Sequence, residues 1–214
     1  MNILLVAATQ AEIEPFLIHY GFYTLPVWKK RIGTHELNVL ISGIGMVATA
    51  FAMGQYCREN IYDLAINAGI AGSFDPTLQP GDVCRVSEDT LAEFGAEDDD
   101  TFLNAETIGL GKSVFSADSV TGFASYNQLT KVRAVTVNRV HGNEKSIAEF
   151  VDRFHPQIET MEGAAFFYAC EQAGIPGIQI RSISNIVERR NRENWQLGPA
   201  IKNLNETLIQ LLNA

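Results

Sequence analysis

Ile3-Leu4-Leu5-Val6-Ala7-Ala8 is an unbroken apolar run that gives way at once to Thr9-Gln10-Ala11-Glu12, where a helical pattern begins. A run this short, bounded by a change of period, reads as a strand covered on both faces. The same alternation recurs along the chain. Leu37 to Ile41, Leu64 to Ala68, Val132 to Val137 and Gly177 to Ile183 read as further strands. Ala11 to His19, Met46 to Arg58, Glu144 to Phe154, Glu162 to Ala173 and Pro199 to Leu212 read as helices, the last with Ile201, Leu204, Leu208 and Leu212 on one stripe. Strands alternating with helices in this order predict an α/β fold.

With 214 residues, 46% of them hydrophobic and 19% charged, the chain is long enough for one well-buried domain spanning 1–214 and short for two. No repeat, low-complexity tract or linker interrupts it, and Asp75-Pro76-Thr77-Leu78-Gln79-Pro80-Gly81-Asp82 reads as a rigid turn before a strand. A net charge of −9 argues against a nucleic-acid backbone or an anionic membrane surface as partner. Small-molecule chemistry is left open. Cys57, Cys84 and Cys170 are widely spaced and odd in number, so reduced thiols in a cytoplasmic protein are expected. The first apolar run stops at Ala8 without a basic leader, which supports neither a signal peptide nor a membrane span. His19, His35, His141 and His155 lack metal-ligand spacing, and Asp98-Asp99-Asp100 reads as a solvated loop, so no metal is expected.

Two strands end in small residues: Ser42-Gly43-Ile44-Gly45 after the second, and Asn67-Ala68-Gly69-Ile70-Ala71-Gly72-Ser73 after the third. Both are expected to be glycine turns at the carboxyl ends of strands, where ligands of open α/β sheets collect. Two carboxylates stand nearby in the pattern. Glu12 follows the first strand, and Glu162 opens a helix within Thr160-Met161-Glu162-Gly163-Ala164-Ala165. An acid in a first helical turn also has a plain structural role, because the helix dipole favours it there.

Taken in order, Ala7-Ala8-Thr9-Gln10-Ala11-Glu12, Ser42-Gly43-Ile44-Gly45, Asn67-Ala68-Gly69-Ile70-Ala71-Gly72, Pro80-Gly81-Asp82, Met161-Glu162-Gly163-Ala164-Ala165 and Ile180-Arg181-Ser182-Ile183-Ser184-Asn185 resemble the nucleoside phosphorylase and nucleosidase superfamily. The likeness spans almost the whole chain. Within the superfamily, the branch holding methylthioadenosine/S-adenosylhomocysteine nucleosidases and futalosine hydrolases is the most similar. Glu162 to Cys170 and Arg190-Asn191-Arg192-Glu193-Asn194-Trp195 resemble the futalosine hydrolases in particular. The resemblance implies a three-layer α/β/α domain around a central mixed, partly barrel-like sheet. It also implies a homodimer that needs no metal or organic cofactor and takes a purine nucleoside as its small-molecule substrate.

It implies roles as well. Breaking an N-glycosidic bond passes through a ribosyl group of oxocarbenium character, so positive charge on the sugar, an attacking water and a departing base must each be served. Glu12 resembles the water-activating base, and Glu162 the carboxylate that accepts from the ribose 2′ and 3′ hydroxyls, with Met161 against the sugar. Ser42 and Arg181 are expected beside the attacking water, and Gly43, Ala68, Gly69 and Ser184 around the substrate.

Asn185 stands where adenine-releasing relatives carry an aspartate able to protonate the base. An amide is no such acid, but it both donates and accepts, which suits the edge of a 6-oxopurine. Futalosine carries a carboxylated aromatic group beyond the ribose 5′ carbon, and Arg189, Arg190 and Arg192 form the dense basic cluster that could pair with it. Gly142-Asn143-Glu144-Lys145-Ser146 departs from the aromatic and apolar residues of the adenine-releasing pattern, leaving Phe94, Phe102 or Trp195 to stack on a base. Glu12 among the glycine segments would repel phosphate, which favours hydrolysis over phosphorolysis. The alternatives are an adenine-releasing nucleosidase and a non-catalytic nucleoside-binding module.

Overall fold

The computed structural model describes residues 1–22, 28–118, 120 and 123–213. In chain order the elements are β1 (Asn2–Ala7), α1 (Gln10–Tyr20), β2 (Lys29–Ile32), β3 (His35–Ile41), α2 (Met46–Glu59), β4 (Leu64–Ser73), β5 (Val83–Leu91), β6 (Gly95–Asp98) and β7 (Thr101–Asn104). Then follow β8 (Val114–Ser116), α3 (Ala124–Gln128), β9 (Thr130–Thr136), α4 (Glu144–Phe154), β10 (Ile158–Thr160), α5 (Gly163–Ala173), β11 (Gly177–Ile186), a 3₁₀ turn at Arg192–Asn194 and α6 (Leu197–Leu212).

The main sheet is mixed and runs β10-β9-β5-β11-β4-β1-β3-β2, with β8 joined to β5. A pairing of β10 with β4 through Ile158↔Ser73 and Glu159↔Gly72 closes β10, β9, β5, β11 and β4 into a small barrel. Two strands change partner part-way to allow this. β4 pairs β1 over Leu64–Asn67 and then meets β10 at Gly72 and Ser73, while β5 pairs β11 over Val83–Val86 and then β8 over Glu88–Thr90. Register shifts at Val86/Glu88 and Ile183/Asn185 supply the bends, since a bulge twists and redirects its strand.

β1 shows why both faces are covered. Ile3, Leu5 and Ala7 enter one core with Ile13, Phe16 and Leu17 of α1 and Leu204, Leu208, Leu211 and Leu212 of α6. Leu4 and Val6 enter the other with Met53 of α2 and Phe166, Phe167 and Cys170 of α5. The two-residue period of a strand divides its side chains between two helical layers, giving the expected three-layer α/β/α arrangement. Truncating a fully buried phenylalanine such as Phe16 or Phe166 in such a core costs roughly 3–5 kcal/mol.

The expectation of a glycine turn over Asn67–Ser73 is corrected here: β4 continues unbroken to Ser73. Its small residues do not turn the chain but let neighbouring side chains lie close against the strand. A Cβ on Gly69 would lie 2.4 Å from Arg181 Nη1 and 2.9 Å from Glu12 Oε1, and one on Gly72 would lie 2.8 Å from Val187 Cγ2. Asp98-Asp99-Asp100 forms the tip of the β6–β7 hairpin, with Asp99 left-handed at φ 53°. β5 is the strand expected after the Asp75–Asp82 turn; it alternates Arg85, Ser87 and Glu88 with buried Cys84, Val86 and Asp89, so no continuous apolar run marks its extent.

Candidate active site

At the ends of β1, β4, β10 and β11 lies a cavity of about 400 Å³, and Glu12, Met161, Glu162, Ser184 and Asn185 all line it. Residues distant along the chain thus meet at one place.

Glu12 is held there by its own helix and by the neighbouring strand. Its Oε2 accepts from the Thr9 backbone N–H at 2.9 Å and the Thr9 hydroxyl at 2.9 Å, and its Oε1 accepts from Ile70 N–H at 3.2 Å. The bond to the Thr9 backbone is one half of a capping box, so the structural role of a first-turn acid and its place in the cavity coexist. Pro15 lies within α1, and the Phe16 N–H, which would ordinarily return to the carbonyl of Glu12, donates instead to Asn205 Oδ1 at 2.9 Å. Asn205 Nδ2 then donates to that Glu12 carbonyl at 2.8 Å. A buried amide from α6 therefore completes the opened rung and fixes the backbone that carries Glu12. It is a polar interruption in the apolar face of α6, visible in sequence but without a partner to name.

Glu162 is the N-cap of α5 and is 5% exposed; its Oε1 accepts from Gly45 N–H at 3.0 Å, and its Oε2 lies 3.6 Å from Arg181 Nη1. Gly163 must be small, because a Cβ there would sit 2.0 Å from Asp89 Oδ2. Ser184 and Asn185 are consecutive in β11, yet both line the cavity, because the register shift between Ile183 and Asn185 breaks the usual alternation. The Ser184 hydroxyl bonds the Ala71 carbonyl at 3.1 Å and Asn185 Oδ1 at 2.8 Å, and Asn185 Nδ2 donates to the Ile186 carbonyl at 3.0 Å.

Arg181 is not on the cavity wall. It is 1% exposed and lies behind Glu162 in a polar network. Its Nε donates to Gln179 Oε1 at 2.8 Å and its Nη2 to Asn67 Oδ1; Gln179 Nε2 donates to Asp89 Oδ2 at 3.0 Å, and Thr136 donates to Asp89 Oδ1 at 2.7 Å. Burial pushes the Asp89 carboxyl up to about 6, against these hydrogen bonds and the Arg181 charge, which act to lower it.

Ser42, Gly43, Ala68 and Gly69 also lie off this cavity. The Ser42 hydroxyl is 3.0 Å from the Gly43 carbonyl and 3.3 Å from Thr49 Oγ1, and Ala68 belongs to the core beneath β1. Ile70, Ala71 and Gly72 from the same strand take the lining positions. Of the aromatic residues considered for stacking, Trp195 lines the cavity and Phe94 and Phe102 do not. The guanidinium carbons of Arg190 and Arg192 lie 5.6 and 5.9 Å from the Trp195 ring, which brings the basic cluster to the cavity rim.

Sequence reasoning missed His141 and Glu159. Both line the cavity, with His141 Nδ1 2.7 Å from Glu159 Oε2 and the His141 backbone N–H donating to Glu159 Oε1 at 3.1 Å. Eighteen residues separate them, and only the pairing of β10 with β9 and β4 brings them together.

The family model of the phosphorylase superfamily matches residues 2–213. The chain belongs to the phosphorylase superfamily. It is 29% identical to futalosine hydrolase of Thermus thermophilus, covering 98% of this chain and 94% of that protein. It is 28% identical to the 5′-methylthioadenosine/S-adenosylhomocysteine nucleosidase of Colwellia psychrerythraea, covering 97% of this chain and 88% of that protein. In fold it is similar to native futalosine hydrolase of Helicobacter pylori, with a TM-score of 0.85 at 17% identity over 100% of this chain and 97% of that one. Within this superfamily member the cavity wall carries Glu12, Glu159 and Glu162 and, among the described residues, neither lysine nor arginine. Such a wall suits a cationic sugar and an incoming water far better than an incoming phosphate anion.

Proposed function

We propose that this chain is a futalosine hydrolase, which cleaves the N-glycosidic bond of futalosine to hypoxanthine and dehypoxanthine futalosine on an alternative route to menaquinone. The observation that carries the reading is the convergence of Glu12, Glu162 and Asn185 on one cavity. Glu12 removes a proton from water as its oxygen attacks the anomeric carbon, and Glu162 accepts from the ribose hydroxyls and favours the positive charge developing on the sugar. Met161 packs on the ribose. Asn185 reads the 6-oxopurine edge through an amide that both donates and accepts. Arg181, behind Glu162, holds that carboxylate rather than touching substrate. Trp195, with Arg190 and Arg192 beside it, receives the carboxylated aromatic substituent.

The reading also takes the protein to be a cytoplasmic homodimer. Exposed Ile44, Val47 and Phe51 form an apolar stretch at the start of α2, and Ile44 itself lines the cavity, so a second copy packed there would help to close it. No helix among the described residues is long and apolar enough to cross a membrane.

The second reading is methylthioadenosine/S-adenosylhomocysteine nucleosidase, supported by the Colwellia psychrerythraea relative and opposed by the amide at Asn185. Chromatography of free bases after incubation with futalosine, inosine and methylthioadenosine separates the two. Hypoxanthine from futalosine, without ribose 1-phosphate when phosphate is added, is the expected result. Adenine released preferentially from methylthioadenosine would overturn it, and tight hypoxanthine binding without turnover of any nucleoside would mark a binding module.

A further inference from the structure

Asn185 leaves the departing base without a proton donor, and a titratable pair stands beside it. A Cβ on Gly72 would lie 3.4 Å from Asn185 Nδ2 and 3.4 Å from Glu159 Cγ, so the amide and the His141–Glu159 pair flank one residue of β4. Glu12 meets the same strand at Gly69 and Ile70. Two to three strand residues, roughly 7–10 Å, therefore separate the carboxylate serving the sugar from the pair beside the amide. That spacing leaves room for the attacking water, the anomeric carbon and purine N7 to lie between the two groups.

The pair is built as an oriented imidazole. Glu159 is 4% exposed and grips His141 twice, at Nδ1 and at the backbone N–H. The ring packs against Phe150, with centroids 4.1 Å apart, and Phe74, at 6.0 Å, which also stack on each other. Its Nε2 has no hydrogen-bond partner among the described residues, while the residue lines the cavity. A carboxylate on Nδ1 sets the ring's orientation and leaves the other nitrogen for chemistry.

We propose that His141, oriented by Glu159, is the general acid that protonates the leaving purine. The proposal rests on the purine-nucleosidase reading above. As the C1′–N9 bond breaks, its electron pair passes into the purine, and the imidazolium Nε2 proton moves to purine N7. Water oxygen bonds to C1′ and gives its proton to Glu12. Solvent then returns a proton to His141 and takes one from Glu12, so the net reaction is water plus nucleoside to base plus sugar. Asn185 reads the base, and His141 supplies the proton that an aspartate there would have supplied. Other charges that face this histidine are Glu12 and Glu162 across the cavity, and Glu93, Glu97, Arg139, Arg153 and Arg190 in the adjoining clefts that His141 also lines.

The test is the pH dependence of hypoxanthine release from futalosine, from about pH 5 to about pH 9, by the wild type and by His141→Gln. The expected result is a roughly 10²–10⁴-fold loss of kcat with KM little changed, and disappearance of the wild type's alkaline fall in kcat. Glu159→Gln, which keeps the imidazole, should lower kcat about tenfold or more without raising KM, and Glu159→Asp should recover part of it. The proposal is overturned if His141→Gln keeps kcat within about threefold, if its loss lies mainly in KM, or if the alkaline fall persists. It is equally overturned, should His141→Gln not fold, by a Glu159→Gln variant with wild-type kcat. A wild type that releases no base from any purine nucleoside would sink the functional reading itself, whereas an active wild type matched by His141→Gln would sink the acid alone.

Discussion

Replacing Gly69 with alanine adds a single methyl group to a buried strand, just behind the cavity wall, and should disable the enzyme. The new carbon would lie 2.4 Å from Arg181 Nη1 and 2.9 Å from Glu12 Oε1, where ordinary contact begins at 3.4 Å. The guanidinium must retreat by about 1 Å and the carboxylate by about half that, and neither is a loose end. Arg181 is tied to Gln179, Asn67 and the Ile70 carbonyl, and Glu12 to Thr9 and the Ile70 N–H. Overpacking of this kind costs roughly 1–3 kcal/mol, and in a chain of this size each kcal/mol lowers Tm by about 2–4 °C. A misplacement of about 1 Å near the reacting atoms costs on the order of a hundredfold in rate. The assay is kcat for hypoxanthine release from futalosine alongside thermal unfolding, with Gly198→Ala as control, since a methyl there meets nothing within 4 Å. A Gly69→Ala enzyme with wild-type kcat and Tm would refute the view that β4 presses these two side chains into place.

Other outcomes follow from the same geometry. Glu12→Gln keeps the shape and the acceptor for Thr9 but removes the proposed base, so kcat should fall roughly 10²–10⁴-fold while KM changes little; a raised KM with kcat unchanged would mean that Glu12 only binds. Asn185→Asp should shift the ratio of adenine to hypoxanthine release toward adenine by about tenfold, the equivalent of about 1.4 kcal/mol, and an unchanged ratio would remove base reading from this residue. Asp89 gives a pH signature in stability. Its folded value of about 6 lies above the ordinary 3.8, so the folded state holds its proton more tightly, and the associated stability is complete below 3.8 and lost as pH rises through about 6. Denaturant titrations between about pH 4 and about pH 7 should therefore show the wild type losing about 2 kcal/mol relative to Asp89→Asn, and a constant difference would contradict the assignment.

Local pattern was sufficient wherever one element determined its own form. The apolar run Ile3 to Ala8, the α4 span Glu144–Phe154 and the stripe of α6 were legible because burial imposes periods of two and 3.6 on neighbours in sequence. Glu12, Met161, Glu162, Ser184 and Asn185 were singled out through motif order, and the fold brings them to one cavity. The remainder depended on closure of the sheet. Whether Gly69 turned the chain or continued it was decided by Arg181 and Glu12 lying over it, and the partner of Asn205 was an opened rung 189 residues away at Phe16. His141 carried no signal by itself, because a histidine acquires its chemistry from its neighbour, and Glu159 reaches it only once β10 is laid between β9 and β4. Sequence by itself determines which segments bury which faces, since that is a property of residues close along the chain. Which polar groups meet inside was decided only by the tertiary structure, where pairing registers and steric room, not spacing, set the distances.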